Sequence, residues 1–245
     1  MTVDNRAALQ SKKMAGEAAS SFVKPGMKVG LGTGSTIYFT IQALGQAFRE
    51  GRLDGLETVA TSERTATLAS SLGLVVRDLS DLPTLDVTID GADEVDPALH
   101  LVKGLGGALL REKIVASSSA RMIVVVDSGK LVNRLGTRAP VPVEVDSFGW
   151  KATALKLAHL DACAPVMRLD PHGAPYRTDG GHYILDCHFA GGIDDAAALE
   201  RAIDAIPGVV ESGLFIGLAS RVLVGDETRA LEFVAGAGLQ ALQRE

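Results

Sequence analysis

The stretch LDVTIDGADEVDPALHLVKGLGGALLREK, residues 85–113, organises the prediction for the whole chain. Its apolar, β-rich start predicts a buried strand that delivers Asp90 and Asp93 just past its end. A glycine-rich loop, 103–107, then opens a predicted helix that carries Glu112 in its early turns. Glycine raises the entropic cost of folding and a buried carboxylate needs a partner, so this pattern favours chemistry over packing.

A second strand-to-helix junction, GTGST at 32–36, is a natural anion site. Free N–H groups at the start of a helix, together with the helix dipole, attract phosphate. The loop lacks the lysine of a P-loop, and Ile37 replaces the third glycine of the dinucleotide pattern. The next predicted strand ends in Thr61-Ser62, where a nucleotide binder would offer an acid. A nicotinamide cofactor is therefore disfavoured, while a plain turn without a ligand stays open.

Strands and helices alternate from residue 27 to residue 126, which predicts an α/β fold with a mainly parallel sheet covered on both faces. Ligands of such sheets bind outside the carboxyl ends of the strands. GTGST, the Asp90 loop and Lys130 in DSGK each follow a predicted strand directly, so we expect them to meet along one edge. Lys130 is thus a second candidate phosphate ligand, although an exposed turn lysine fits the sequence equally well.

The second half of the chain has a different pattern of predicted strands and helices. Antiparallel strands interleaved with two helices predict a small α+β unit of the split βαβ kind between about Leu135 and Glu211. Within it, the sequence predicts a hairpin that pairs 176–178 with 183–189. A further strand is predicted near 209–215.

The last predicted strand, 221–224, is expected to return to the first sheet. Two domains follow from this arrangement. Residues 1–134 and 212–245 are predicted to form the catalytic domain, and 135–211 a lid and oligomerisation domain.

Composition excludes several classes of protein. The net charge of −6 argues against generic nucleic-acid binding, and no apolar run is long enough to cross a bilayer or to serve as a secretory signal. The two cysteines, Cys163 and Cys187, form no CxxC, so neither a disulfide framework nor a zinc ribbon is indicated and the cytoplasm is expected. A phosphorylated ligand would require locally gathered lysines, and Lys12 in the predicted helix 6–23 is one candidate.

Asp90 and Asp93 admit three interpretations. Asp90 can be a cap or turn residue, as aspartate often is. The acidic run, with Glu94 and Asp96, can bind Mg²⁺ through its oxygens. Alternatively, the two aspartates can handle protons on a sugar. The residues alone leave all three open, although EF-hand spacing is absent.

The loop after Val102 combines a cation with flexible backbone. Lys103 beside Gly104, Gly106 and Gly107 offers an ammonium and several N–H groups to one point, which is how an oxyanion is stabilised. Glu112, four residues into the following helix, can face back toward this loop. Desolvated there, its pKa would rise toward that of a base, but an ordinary solvated glutamate is the simpler interpretation.

Three motifs together resemble ribose-5-phosphate isomerase of type A, a cofactor-free enzyme of the pentose phosphate pathway. They are GTGST at 32–36, DGADEVD at 90–96 and KGLGGALLREK at 103–113. The family varies within the third motif, where Leu105 and Gly107 are tolerated variants. The likeness extends to Lys12 before Pro25-Gly26, Lys130 in VDSGK, PVEV at 142–145, and AIPGVVESGLF at 205–215.

The resemblance implies a role for each charged candidate. Glu112 would move a proton between C1 and C2 of the open-chain sugar, and Lys103 with the loop amides would hold the enediolate oxygen. Asp90 and Asp93 would assist ring opening and proton transfers at the hydroxyls. No cofactor and no metal ion are implied.

The resemblance further implies a Rossmann-like domain with a smaller α+β (split βαβ, ferredoxin-like) domain. It also implies a homodimer or homotetramer that acts on a small sugar phosphate, with no nucleic-acid or membrane partner. The implied phosphate and sugar contacts are Lys12, Thr33, Gly34, Ser35, Thr36, Gly104, Gly106, Gly107 and Lys130.

Three rivals remain at this point. Acyl-CoA transferases have a related fold and use a glutamate nucleophile, a role that Glu112 would take. Some transcriptional regulators sense sugar phosphates with a similar domain, but only one short helix precedes Pro25 here. A metal-assisted hydride shift is an alternative mechanism for a sugar isomerase.

Overall fold

The computed structural model describes residues 3–160 and 163–243, which form six α-helices and fifteen strands. Within these ranges, no helix combines the length and apolar character needed to span a membrane. The helices are α1 (Val3–Ser20), α2 (Ile37–Arg49), α3 (Glu63–Ser71), α4 (Leu109–Ser117), α5 (Trp150–Leu157) and α6 (Ala196–Asp204). The strands are β1 (Lys28–Leu31), β2 (Glu57–Ala60), β3 (Val75–Val76), β4 (Val87–Asp90), β5 (Glu94–Val95), β6 (Leu101–Val102), β7 (Met122–Asp127), β8 (Val141–Val145), β9 (Ala164–Met167), β10 (Tyr183–His188), β11 (Val209–Ser212), β12 (Leu214–Phe215), β13 (Ala219–Gly225), β14 (Ala230–Val234) and β15 (Gly238–Ala241).

The largest sheet has the order β15-β14-β13-β7-β4-β1-β2-β3. The six strands from β13 to β3 are parallel, and β14 and β15 add an antiparallel hairpin at one edge. The predicted mainly parallel sheet is therefore confirmed, as is the return of the last predicted strand to it. The β14–β15 hairpin was not predicted from the sequence.

Strand β7 shows why this sheet is covered on both faces. Successive side chains of a strand point to opposite faces. Ile123 and Val125 join a core cluster with α1 and α2, while Met122, Val124 and Val126 join another with the segment around β12. Both clusters are buried, so the positions from Met122 to Val126 are all apolar, and four of these five residues are β-branched.

The second sheet is antiparallel, with the order β11-β8-β10-β9. Its chain order is β8, α5, β9, β10, α6, β11, which is the predicted split βαβ, ferredoxin-like arrangement. The predicted hairpin inside it is wrong. Strand β10 pairs with β9 on one side and β8 on the other, so neither edge is left for residues 176–178, which form no strand.

The predicted strand at 209–215 divides at Gly213 between two sheets. Strand β11 completes the antiparallel sheet, and β12 pairs with β6 in a third sheet of order β12-β6-β5. Gly213 donates its N–H to Pro142 O (2.7 Å) and accepts from Lys103 N (2.8 Å). A Cβ at this position would lie 2.3 Å from Lys103 O, so only glycine fits the crossing. This crossing ties both smaller sheets to Lys103.

Candidate active site

The carboxyl ends of β1 and β4 are neighbours because these strands pair in parallel. Asp90, expected just beyond the strand, is the last residue of β4. Its Oδ1 accepts from Thr33 N (3.1 Å) and from Gly91 N (2.7 Å). A Cβ on Gly32 would lie 1.9 Å from this Oδ1, so the first glycine of GTGST leaves room for the carboxylate.

Three charged side chains meet in a buried cluster at this edge. Lys103 Nζ lies 2.9 Å from Asp90 Oδ2 and 3.3 Å from Glu112 Oε1. Asp90 is 0% exposed, Lys103 2% and Glu112 4%. Two carboxylates thus share one ammonium away from water, which is an unusual arrangement unless the charges serve a reaction.

The ammonium of Lys103 is fixed from several directions. Its Nζ donates to Gly91 O (2.7 Å) and stands 5.4 Å from the ring centre of Phe215. Its backbone N–H is held by Gly213 at the crossing between sheets. Both ends of the residue are therefore positioned before any ligand arrives.

Each carboxylate of the cluster keeps one unsatisfied oxygen. Asp90 Oδ2 and Glu112 Oε2 are buried and have no hydrogen-bond donor among residues 3–160 and 163–243. Asp90 Oδ2 is close enough to Lys103 for an ion pair, but the two groups are not aligned as a hydrogen bond. Buried polar atoms without partners are rare and costly, so these two oxygens mark the place where a ligand would bond.

The cluster shifts the pKa of all three groups. Burial, reinforced by the charge of Asp90 and opposed by Lys103, raises the pKa of Glu112 to about 8. Burial also raises the pKa of Asp90, against the pull of Lys103. Burial disfavours the charge on Lys103, but Asp90 and Glu112 outweigh it and raise the pKa of the ammonium. At neutral pH Lys103 is thus cationic, and Glu112 can hold or release a proton.

Asp93 lies beside this cluster and contacts the glycine-rich loop. It is half-buried, and its Oδ2 accepts from Leu105 N (2.9 Å). Its own N–H donates to Val102 O (2.8 Å), which ties β5 to β6. Asp93 therefore sits at the boundary between the buried charges and solvent.

The other acids of the DGADEVD run hold the backbone. Glu94 is fully buried and accepts from three N–H groups in the segment 136–139, at 2.5 to 2.8 Å. Asp96 accepts from Ala98 N (2.9 Å) and His100 N (2.8 Å). Their oxygens are already used, so the Mg²⁺ interpretation loses two of its four carboxylates.

The GTGST loop divides its polar groups between the interior and the surface. Gly34 and Ser35 are exposed at the start of α2, Thr36 is buried at the N-cap, and Lys12 Nζ donates to Ser35 Oγ (3.0 Å). This brings the predicted lysine of α1 to the predicted anion loop.

The hydroxyl of Thr33 faces inward. Its Oγ1 lies 2.8 Å from both Thr61 Oγ1 and Ser62 Oγ, and 3.1 Å from Thr65 Oγ1. Sequence reasoning missed this cluster, although Thr61-Ser62 at the end of the second strand was a visible signal. Thr33 meets Asp90 through its backbone N–H, not through its side chain.

Lys130 follows β7, the parallel neighbour of β4, in a short 3₁₀ turn, Ser128–Lys130. It is half-buried and has no hydrogen-bond or ion-pair partner among the described residues. A lysine without a partner at the same sheet edge is available to a ligand anion.

The glycine-rich loop has a neighbour that the sequence did not indicate. Arg168, which follows β9, donates to the carbonyls of Gly104 (2.9 Å) and Leu105 (3.1 Å). More than sixty positions separate these partners along the chain, so no spacing rule could have found the contact.

The chain is similar to proteins of one family. A family model described as ribose 5-phosphate isomerase A (phosphoriboisomerase A) matches residues 57–229. The ribose-5-phosphate isomerase A of Gloeobacter violaceus is 54% identical over 218 residues, which cover 88% of this chain and 92% of that protein. The protein of the same name from Roseiflexus castenholzii is 51% identical over 213 residues, 87% of this chain and 90% of the relative.

Solved structures agree with these relatives. A D-ribose-5-phosphate isomerase in complex with phospho-erythronic acid matches with a TM-score of 0.88 and 36% identity, over 95% of this chain and 99% of that chain. The likeness therefore extends over the sheets, the helices and the connections that surround the buried charges.

Proposed function

Because this chain belongs to the ribose 5-phosphate isomerase A family, it interconverts D-ribose 5-phosphate and D-ribulose 5-phosphate, and we propose that Glu112 is the base of that reaction. The observation that carries the proposal is the buried Glu112 Oε2, which has no donor among the described residues. A carboxylate whose pKa is raised to about 8 holds a proton long enough to return it to the substrate.

The reaction moves one proton between neighbouring carbons. Glu112 removes the proton from C2 of the open-chain aldose, and the electrons of that bond form an enediolate with the negative charge on O1. The hydroxyl proton of O2 passes to O1, and Glu112 returns the carbon proton to C1 to give the ketose. Proton and charge balance without an external acceptor.

Lys103 stabilises the enediolate. Its ammonium lies between Asp90 and Glu112, so a substrate oxygen that approaches Glu112 also approaches a fixed positive charge. A charge that is positioned before the reaction does not have to reorganise in the transition state. We assign Asp90 and Asp93 to ring opening and to proton transfer at the sugar hydroxyls, supported by Asp90 Oδ2, which is ion-paired with Lys103 but has no hydrogen-bond donor among the described residues, and by the partly open position of Asp93.

The substrate contacts proposed from the sequence divide into two groups. Lys12, with its bond to Ser35, and Lys130, for which residues 3–160 and 163–243 offer no partner, supply positive charge for the phosphate. The remaining proposed contacts come from the two loops that flank the cluster: Thr33, Gly34, Thr36, Gly104, Gly106 and Gly107. Thr33 would contribute through its backbone, because its hydroxyl is engaged with Thr61, Ser62 and Thr65.

Solvent deuterium tests the role of Glu112. Wild-type protein is incubated with ribose 5-phosphate in D₂O, with a chelator present, and the ketose is analysed for deuterium at C1. We expect deuterium in the wild-type product and none above background with Glu112→Gln. Equal incorporation and turnover in both proteins would remove Glu112 from the role, and turnover that needs added Mg²⁺ would instead support a metal-assisted shift.

We also propose the domain division 1–134 with 212–245 against 135–211. The four strands of the antiparallel sheet, which lie between Val141 and Ser212, support it. Residues 1, 2, 161, 162, 244 and 245 of the proposed domains lie outside the described residues. Expression of 135–211 alone and its unfolding as one cooperative unit would test the division.

A homodimer or homotetramer in the cytoplasm is our proposal for the working form. Phe148, 90% exposed, and Leu155, 68% exposed, are apolar side chains on the antiparallel unit that association would cover. Light scattering on wild type and on Phe148→Asp tests this, and a monomeric wild type would contradict it. The low cysteine content supports the location, which cell fractionation would test.

A further inference from the structure

The guanidinium of Arg168 holds the glycine-rich loop, and it lies outside the buried charge cluster. Arg168 Nη1 donates to Gly104 O (2.9 Å) and Leu105 O (3.1 Å). The other edge of the guanidinium is paired with Asp186 on β10, where Nε donates to Oδ2 (2.9 Å) and Nη2 to Oδ1. Asp186 thus fixes Arg168, and Arg168 fixes two consecutive peptide groups of the loop.

The geometry of a peptide group converts this clamp into an orientation at the active site. In a planar trans peptide the C=O and N–H point in opposite directions. The peptide whose carbonyl is Gly104 O has Leu105 N–H at its other side, and that N–H donates to Asp93 Oδ2 (2.9 Å). Arg168 and Asp93 therefore hold one peptide from its two sides.

Among the described residues, partners hold the next peptide from one side alone. Its carbonyl, Leu105 O, accepts from Arg168, so its Gly106 N–H points away from the guanidinium. Gly106 is exposed and its N–H has no partner among the described residues. The nearest neighbour to a Cβ built on Gly106 would be Thr33 Cγ2, at 3.9 Å, so this residue faces the GTGST loop. This N–H is free to meet a substrate oxygen.

Electrostatics add to the orientation. A cation that bonds to a carbonyl polarises the whole peptide, which makes its N–H a stronger donor. Arg168 is 12% exposed and Asp186 19%, so water screens the pair weakly. A lysine could not replace the arginine, since one ammonium cannot reach a carboxylate and two carbonyls with the same planar fork.

Tyr176 closes the same side of the loop. A Cβ on Gly107 would lie 2.2 Å from Tyr176 Oη, and Gly107 has a φ of +81°, so glycine is required twice over. The guanidinium of Arg168 stands 5.9 Å from the Tyr176 ring centre. Arg168 and Tyr176 thus contact the loop at Gly104, Leu105 and Gly107.

We propose that Arg168, held by Asp186, is a positioning residue for the isomerisation: it aims the N–H groups of Leu105 and Gly106 at Asp93 and at the substrate. The proposal rests on the isomerase function proposed above. It adds a contribution to catalysis from the domain 135–211, which contains none of the catalytic side chains proposed above.

The test combines removal of the guanidinium with its return as a small molecule. We expect Arg168→Ala to lower kcat at least about 10-fold, because misdirected oxyanion donors cost up to about 10²–10³-fold each. KM should change less than about threefold, since the substitution leaves the GTGST loop, Lys12 and Lys130 untouched. Added ethylguanidinium should restore part of the lost kcat, which a merely structural residue would not allow.

Arg221→Ala is the matched control. Arg221 is also half-buried and ion-paired, with Glu232 at 3.1 Å, but it lies in the large sheet away from the loop. It should lower the melting temperature without lowering kcat or responding to ethylguanidinium. If Arg168→Ala does not fold, Asp186→Asn takes its place, because it keeps the arginine in the chain but removes the negative charge that fixes it. A fall in the kcat of Asp186→Asn at unchanged KM would support the proposal.

Two results would overturn the inference. One is a folded Arg168→Ala, or Asp186→Asn, with wild-type kcat; the other is a loss of kcat in folded Arg168→Ala that ethylguanidinium does not restore, whatever the kcat of Arg221→Ala. Wild-type protein in the same assay separates this failure from a deeper one. If wild type does not turn over ribose 5-phosphate, the proposed function fails; if it does, only the role of Arg168 is lost.

Discussion

Two buried glutamates, Glu94 and Glu112, have opposite surroundings. Glu94, fully buried, is bonded by three backbone N–H groups of the segment 136–139. Glu112, 4% exposed, shares Lys103 with Asp90 and keeps one oxygen that has no donor within 3–160 and 163–243. Burial therefore does not identify a functional carboxylate. The bonds that its oxygens already make decide whether it can take part in chemistry.

The largest expected effect separates the two glutamates by activity. Glu112→Gln should lower kcat about 10³-fold, which corresponds to about 4 kcal/mol of transition-state stabilisation, because the amide cannot accept the carbon proton. Glu94→Gln, measured at a temperature where it is folded, should retain kcat within about threefold. Steady-state kinetics with circular dichroism on both variants makes the comparison, and a large loss of kcat in folded Glu94→Gln would break it.

The second largest expected effect distinguishes Glu94 from Glu112 by its contribution to the free energy of unfolding. Glu94→Gln should lower the free energy of unfolding by about 3 kcal/mol, because the amide replaces one charged acceptor with a donor that faces backbone N–H groups. Chemical denaturation at pH 7 measures this loss. Asp96→Asn, which alters the exposed turn that follows, is the control and should cost less than about 1 kcal/mol. Equal losses of unfolding free energy in Glu94→Gln and Asp96→Asn would show that the burial of Glu94 adds nothing to its contribution to stability.

The third prediction concerns the dependence of stability on pH. Glu94 should stabilise the folded protein at pH 7, whereas Glu112 should make it less stable as the pH rises. Unfolded, Glu112 titrates near 4.5, and folded near 8, so between these values the folded protein holds a proton that the unfolded chain has released. Stability should therefore fall as pH rises through this window, by at most about 1.4 kcal/mol per unit, and Glu112→Gln should remove that fall.

Denaturation at pH 5, 6, 7 and 8 tests this slope. Lys103 does not contribute to it, because its raised pKa matters only above its ordinary value of 10.5. The raised pKa of Asp90 acts in the same direction as that of Glu112. Part of the fall in stability should therefore persist in Glu112→Gln at the acidic end of this pH range. Identical slopes in wild type and Glu112→Gln would contradict the assignment of the proton to Glu112.

The smallest expected effect extends the comparison to two neighbouring lysines. Lys12 reaches Ser35 in the anion loop, whereas Lys13 pairs with Glu17 on the surface of α1 at 3.7 Å. Lys12→Met should raise KM for ribose 5-phosphate about 5-fold with little change in kcat, because it would remove the proposed phosphate contact, which would be made in ground and transition states alike. Lys13→Met should leave both constants unchanged, and a matching rise in its KM would assign the effect to general charge.

Local pattern predicted most of the elements and the surroundings of Asp90. Alternation of strands and helices defined the parallel sheet, and the rule for strand ends placed GTGST beside the Asp90 loop. The hairpin at 176–178 failed because periodicity shows that a segment is extended, not which edge it finds occupied. Strand β10 already had both neighbours.

By itself, the sequence determined the type of fold, the two loops that meet at the sheet edge, and the family likeness that gave Glu112 and Lys103 their expected roles. These features depend on residues close together in the chain, where hydrophobic period, glycine and helix starts act directly. The tertiary structure alone decided that Glu94 is hydrogen-bonded to the segment 136–139, while one oxygen of Glu112 has no donor in the described part of the chain. It also decided that Arg168 reaches the glycine-rich loop. Hydrogen-bond partners that lie more than forty positions away are chosen by packing, and no local pattern records that choice.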